Sequence, residues 1–178
     1  MPKSRTRGFV TRSEVKVERM PWGPYEWLTR ADIVDTEQLL VARVQLRKGQ
    51  GHGFHRHPSM EEVIYVLDGK AEQWIGDEMR VLGTGDVAHV ARDVVHATFN
   101  HGNGILRYLM VMGPAKFQGP ALVDASSEEP WVSIRDQRRI AAKRKSASRR
   151  SSRSKRSEGA RLASGEQASR RKRPKRPG

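Results

Sequence analysis

The sequence predicts an all-β domain built as an antiparallel barrel or sandwich. Three features point to it: apolar residues alternate with period two from Gln38 onward, turn residues recur every few positions, and no long amphipathic helix is legible between residues 38 and 112. The alternation is plainest at Leu40, Ala42, Val44 and Leu46, which interleave with Val41, Arg43, Gln45 and Arg47. Successive side chains leave a strand on opposite faces, so this segment has one apolar and one mixed face. Residues 48–51 form a turn. His55-Arg56-His57 is extended and is broken by Pro58-Ser59, after which residues 62–67 resume a strand. Asp68-Gly69 carries the signature of a tight hairpin turn, from which residues 70–75 return. Residues 76–78 turn again. Further short strands are expected at 79–82, 87–90, 96–100 and 105–112, separated by turns at 83–86, 91–94 and 101–104.

The flanks differ in character. Residues 1–20 are polar and of mixed charge, an expected extended arm, and residues 21–134 make up the β domain with its flanking segments. Met20-Pro21-Trp22-Gly23-Pro24-Tyr25-Glu26-Trp27-Leu28 packs aromatics between turn residues. The favoured expectation is a segment that lies across the domain edge and covers apolar surface; the other is a wall or lid of a ligand pocket. Residues 113–134 hold Gly113, Pro114, Gly119, Pro120 and Pro130 and are expected to form an irregular strap, with Trp131, Val132 and Ile134 available to dock. Residues 135–178 are a basic, low-complexity tail, with a transient helix at 138–145 and disorder expected from about residue 141.

Charge separates the two parts. Residues 1–134 hold 16 Lys+Arg and 17 Asp+Glu, a net of −1, whereas residues 135–178 hold 18 and 3, a net of +15, which together give the chain's +14. The high isoelectric point therefore belongs to the tail. Clusters such as Arg170-Arg171-Lys172-Arg173 could bind nucleic acid non-specifically and with strong salt dependence, but they lack interleaved aromatics for base stacking. The absence of cysteine excludes disulfides, thiolate metal sites and cysteine nucleophiles. No run of about 18 apolar residues suggests a membrane span. The basic N-terminus lacks the apolar region of a signal peptide, and a cytoplasmic location is expected.

The residues that carry chemistry lie in the first turn and strand of the β region. His55 and His57 are two apart, so on a strand both imidazoles leave one face. A carboxylate follows at Glu61 or Glu62, and His96 returns about forty residues later. Three imidazoles and one carboxylate make a mixed nitrogen/oxygen shell suited to iron, manganese, nickel, copper or zinc, and leave an octahedral ion two open positions. An unbroken strand would put Glu61 on the face of His57, but Pro58-Ser59 breaks the strand, so parity leaves both glutamates open.

These residues resemble the two motifs of the cupin family, the small jelly-roll β-barrels. In the first, Gly49 is followed after five residues by His55-Arg56-His57, after four more by Glu62 and after six more by Gly69; in the second, Gly85, His96 and Asn100 are in register. The second motif's usual proline and glycine are replaced by Ala91 and Asp93, which affects the local turn rather than a ligand position. The resemblance covers residues 49–100, extends through flanking strands to about 38–112, and implies a cupin jelly-roll barrel. It assigns the metal-ligand role to His55, His57, Glu62 and His96, with Glu61 turned outward or in a salt bridge, and one divalent ion, Fe(II) first, with Mn(II), Ni(II), Zn(II) or Cu(II) as alternatives. It further implies a dioxygenase-type oxidoreductase acting on a small organic molecule. Cupin isomerases, lyases and non-catalytic binding proteins use the same ligands, and fold alone does not choose among them.

Counting parity inside such a barrel places Gln73, Thr98, Tyr108 and Met110 as candidate substrate contacts, with Asn100 fixing a turn and the direction of Arg107 left open. His52, His89 and His101 fall outside the motif and are not expected to touch metal; His52 is expected to be solvated or to back up a ligand. A homodimer is expected, because barrels of this family pair edge strands or exchange N-terminal segments and an exposed edge invites pairing.

Overall fold

The computed structural model describes residues 8–138 and 140–141. The expected all-β class is what it shows: two antiparallel sheets packed face to face. The strands are β1 (Lys16–Met20), β2 (Gly23–Thr29), β3 (Leu40–Leu46), β4 (Gly51–Arg56), β5 (Glu61–Asp68), β6 (Ala71–Ile75), β7 (Glu78–Leu82), β8 (Val87–Val90), β9 (His96–Asn100), β10 (Leu106–Gly113) and β11 (Val123–Asp124). One sheet has the order β1-β2-β3-β10-β5-β8 and the other β11-β4-β9-β6-β7. From β3 to β10 the chain changes sheet at every connection except the β6–β7 hairpin, so the two sheets are wound together and enclose one core.

Alternation decides what that core contains. Leu40, Ala42, Val44 and Leu46 of β3 are buried while the residues between them are half-buried, as the period-two pattern requires. In β10 the residues Leu106, Tyr108, Met110 and Met112 do the same, in register with Leu46, Val44, Ala42 and Leu40 of β3. Ile64 and Val66 of β5 face them from the other side of β10. On the outer face, charged side chains pair across strands: Arg43 with Glu26, and Arg107 with Asp68 at 2.8 Å. The guanidinium of Arg107 thus points away from the core.

Four expectations need correction. Within the arm expected over residues 1–20, the described part is not simply extended: residues 12–14 form a 3-10 turn and Lys16–Met20 is the edge strand β1, paired with β2. The aromatic segment after it is a strand hydrogen-bonded to β3: Tyr25 is buried, and a Cβ at Gly23 would overlap the carbonyl oxygen of Gln45. Asp68-Gly69 is a corner between sheets rather than a hairpin, since β5 pairs with β8 and β10 while β6 pairs with β7 and β9. Gly69 takes φ +90°, and a Cβ there would stand 2.9 Å from the Ile105 carbonyl oxygen, so the tight-turn signal was genuine but said nothing of where the next strand goes.

The fourth correction concerns residues 113–134. This stretch contains the short strand β11, and a helix begins at residue 131 rather than 138. Glu128 and Glu129 precede that helix, the sign of charge that a helix N-terminus favours. Trp131 packs on Phe54 with ring centroids 5.5 Å apart, whereas Val132 is exposed. The chain divides into two compact units after Val132. In the second, residues 133–138 and 140–141 are described and helical; Gln137 donates to Ser133 at 2.9 Å. The disorder expected from about residue 141 lies, apart from Ala141 itself, which is helical, outside the described residues.

Asn100 fixes the turn after β9, as the sequence suggested, and joins it to the end of β3. Its Nδ2 donates to the carbonyls of Leu46 (2.9 Å) and Gly104 (2.7 Å), and its Oδ1 accepts from the Gly102 amide (2.8 Å). Replacing it by alanine removes three hydrogen bonds at a buried position and strands their backbone partners. Asn100→Ala should lower the unfolding free energy by about 2–4 kcal/mol, read as a lower urea midpoint with an unchanged m-value.

Candidate metal centre

Four side chains from three strands and one turn meet between the sheets. His55 is the penultimate residue of β4, His57 lies just past the end of that strand, Glu62 is the second residue of β5 and His96 opens β9. Antiparallel pairing sets His96 directly opposite His55, which explains how residues forty apart come together. All four are buried, and one ligand atom from each can be chosen so that the set lies within 4.8 Å of one another. Ring centroids are 4.2 Å apart for His55 and His96, 5.0 Å for His55 and His57, and 5.3 Å for His57 and His96.

The rings are oriented by their outer nitrogens. Nδ1 of His55 lies 2.7 Å from the Gly53 carbonyl, Nδ1 of His57 2.6 Å from that of Ala121, and Nδ1 of His96 2.9 Å from that of Val94. A carbonyl only accepts, so each Nδ1 carries a proton and donates it. Each Nε2 is thereby left for the interior, the arrangement that fixes imidazoles as metal ligands. Glu62 supplies the oxygen: its Oε2 lies 2.8 Å from Nε2 of His96 and 3.4 Å from Nε2 of His57.

Electrostatics reinforce the geometry. Burial opposes a charge on Glu62, but hydrogen bonds and attraction from His57 and His96 outweigh it, holding the carboxyl well below the usual range. Burial together with the neighbouring His52 and His96 rings pushes His55 down to about 2, so it is neutral. His57 is also disfavoured as a cation by burial, yet contact with Glu62 prevails and its pKa is raised. A neutral nitrogen donor and a fixed carboxylate are chemically suited to one divalent ion, and the proton that His57 favours must leave before its ring can bind.

The structure separates the two glutamates. Glu62 faces the interior, while Glu61 is exposed and lies 3.2 Å from Nε2 of His89, itself exposed. His101 is exposed, 3.9 Å from Glu72. His52 is half-buried and stacks on His55 at 3.8 Å and on Trp22 at 4.8 Å, with its pKa lowered to about 4, chiefly by burial. Gln73, Thr98, Tyr108 and Met110 are all buried on the inner faces. Thr98 donates to Oε1 of Gln73 at 2.7 Å, and Gln73 Nε2 donates to the Trp74 carbonyl at 3.1 Å. Met110 packs in the hydrophobic core.

Two cavities flank this region. One, of about 230 Å³, includes Gln73, Ile75, Arg80 and His89 in its wall but none of the four clustered residues. The other, of about 320 Å³, includes His55 itself, with Trp22, His52, Phe54, Leu122 and Asp124. Trp22 was legible as a candidate pocket wall; Asp124 and the Ala121 carbonyl were not. Asp124 carried no motif, and a backbone carbonyl has no sequence signature. Only the pairing of β11 with β4 brings them to the site.

The family described as a cupin domain matches residues 42–112. No curated protein matches the chain. Among solved structures, an RmlC-like cupin from Shewanella frigidimarina is 20% identical, with 62% of this chain and 93% of that one covered at a TM-score of 0.53. KdgF from a Halomonas species is 19% identical, with coverage of 61% and 94% and a TM-score of 0.54. A predicted oxalate decarboxylase from Thermotoga maritima is 26% identical, with coverage of 60% and 98% and a TM-score of 0.53. The motif spacing, the intertwined sheets and the family match agree: residues 42–112 are a cupin domain.

Proposed function

We propose that this protein holds one divalent metal ion on His55, His57, Glu62 and His96, Fe(II) first among the candidates, and is a dioxygenase-type oxidoreductase acting on a small organic molecule. The observation that carries the metal assignment is the set of three Nδ1–H groups tied to backbone carbonyls, which turns three Nε2 atoms toward one buried carboxylate. Three histidines with one carboxylate suit iron, manganese, nickel, copper or zinc rather than calcium or magnesium, which prefer oxygen. A bound ion of this kind supplies Lewis-acid chemistry and, where redox-active, electron transfer to substrate and dioxygen. The chain's own part is to orient the ligands, exclude bulk water with Tyr25, Met60, Ile64 and Tyr108, and offer the cavity beside His55 for a substrate.

A second reading has a specific support. The predicted oxalate decarboxylase from Thermotoga maritima shares this fold at 26% identity, and a lyase could use the same four ligands without consuming oxygen. Oxygen uptake separates the two. The iron-loaded protein, screened against small diols, thiols and diketones in an oxygen electrode, should consume oxygen with at least one of them. Carbon dioxide release from a carboxylic acid without oxygen uptake would favour the lyase.

The ligand assignment is tested without knowledge of the substrate. Protein purified without chelator should carry about one metal per chain by elemental analysis, and His96→Ala should lose most of it, since removal of one ligand leaves Glu62 buried beside an incomplete set. Equal metal in both proteins would refute the assignment.

Metal affinity should also depend on pH in a definite sense. A ligand must be deprotonated to bind, and the raised pKa of His57 lets a proton compete above the ordinary imidazole range. Affinity should therefore rise with pH through that pKa and level off beyond it, with proton release on metal addition in weakly buffered solution. His55 is already neutral throughout this window and adds no slope.

A further inference from the structure

A row of side chains crosses the second sheet. Asp124 of β11 pairs with His55 of β4, His55 pairs with His96 of β9, and His96 pairs with Ile75 of β6. Directly paired residues share a face, so Asp124 lies on the same side of the sheet as two of the clustered histidines. Neighbouring strands stand about 4.8 Å apart, which puts the root of the Asp124 side chain one strand from His55 and two from His96. The carboxylate is thus near the cluster without being part of it.

The cavity beside His55 has a distinct chemical character. Asp124 and the indole of Trp22 line it, together with His52, Phe54 and Leu122. Among the described residues, no lysine or arginine lines it, and the Asp124 carboxyl is held by the amide of Ser126 at 2.9 Å. A carboxylate and an indole without a fixed cation make a wall that attracts positive charge and repels negative charge. Among the described residues, a dicarboxylate would meet no cationic anchor here beyond a bound ion.

We infer that the cavity accepts a molecule that offers the metal an oxygen and carries a positive charge at its other end, beside Asp124 and Trp22. This rests on the proposed metal reading and adds the substrate's charge class. Asp124 and Trp22 are then specificity-determining residues, and a quaternary or primary ammonium group is the chemistry they recognise.

The test uses two probes of the same shape: glycine betaine, a carboxylate with a trimethylammonium head, and 3,3-dimethylbutanoate, in which a tert-butyl group replaces that head. The full-length protein is loaded with Co(II), and the visible bands of the ion report each probe's binding. In Asp124→Asn, betaine should lose about five- to tenfold in affinity relative to dimethylbutanoate, the scale expected for loss of a charge-assisted contact to an ammonium. Trp22→Leu should shift the same ratio in the same direction, with cobalt stoichiometry unchanged in both variants. A betaine-to-dimethylbutanoate ratio that stays within twofold in both variants would overturn the inference, as would a spectrum that responds to dimethylbutanoate and not to betaine. Failure of the wild-type protein to bind stoichiometric Co(II) would instead overturn the metal reading, and this inference with it.

Discussion

Three hydrogen bonds from imidazole Nδ1–H groups to backbone carbonyls are the constraint on which the centre depends. Each fixes a tautomer and a ring direction at once, and together they leave the three Nε2 atoms free, those of His57 and His96 within 3.4 Å of Glu62. The acceptors come from separate parts of the chain: Gly53 within β4, Val94 in the turn before β9, and Ala121 in the strap before β11. Two of the bonds are local, made two residues away, and form wherever the backbone turns correctly. The third spans 64 residues and exists only because the strap returns across the mouth of the sheets. That contact makes residues 113–126 part of the centre rather than a trailing segment.

The same contacts explain why a carboxylate is tolerated among buried apolar residues. Glu62 sits in β5 between Val90 of β8 and Met112 of β10, an environment that by itself would drive it toward the neutral acid. The rings of His57 and His96 reverse that preference. A buried acid and its partners stand or fall together: any one of them alone would be an uncompensated polar group in a dry interior. The core around them is apolar and continuous, with Met60, Ile64, Val66 and Tyr108 among its most deeply buried members. These residues keep water from weakening the interactions inside.

Beyond the cluster, the sheets give the region a direction. On the His55 side lies a cavity with an acid and an indole; on the Gln73 side lies another whose wall includes Arg80 and His89. The first contains a clustered residue and the second does not, so the two are not equivalent approaches. Thr98 and Gln73, which parity placed inside, are hydrogen-bonded to each other and help to seal the interior between them.

Much of the β fold was legible because period-two alternation records burial directly: β3, β5, β9 and β10 lie within a residue or so of where the pattern put them. The four clustered residues were legible because their spacing matches a motif, and parity plus the break at Pro58 framed the choice between Glu61 and Glu62 that the fold then separates. What sequence could not convey was partnership between distant segments. Asp68-Gly69 announces a turn, but whether the next strand pairs with the last or crosses to the other sheet depends on which edges the rest of the chain leaves open. Trp22 and Tyr25 announce burial, not that their segment would add a strand to β3. Asp124 and the carbonyl of Ala121 acquire meaning only from the ladder and the hydrogen bond that join the strap to β4 and His57. Local pattern determined strand identity, inner face and candidate ligands, because those follow from covalent geometry and residue type. The closing of the centre, the character of its cavity and the neighbours of each ring were decided by tertiary structure alone, because they arise from contacts whose sequence separation no local rule encodes.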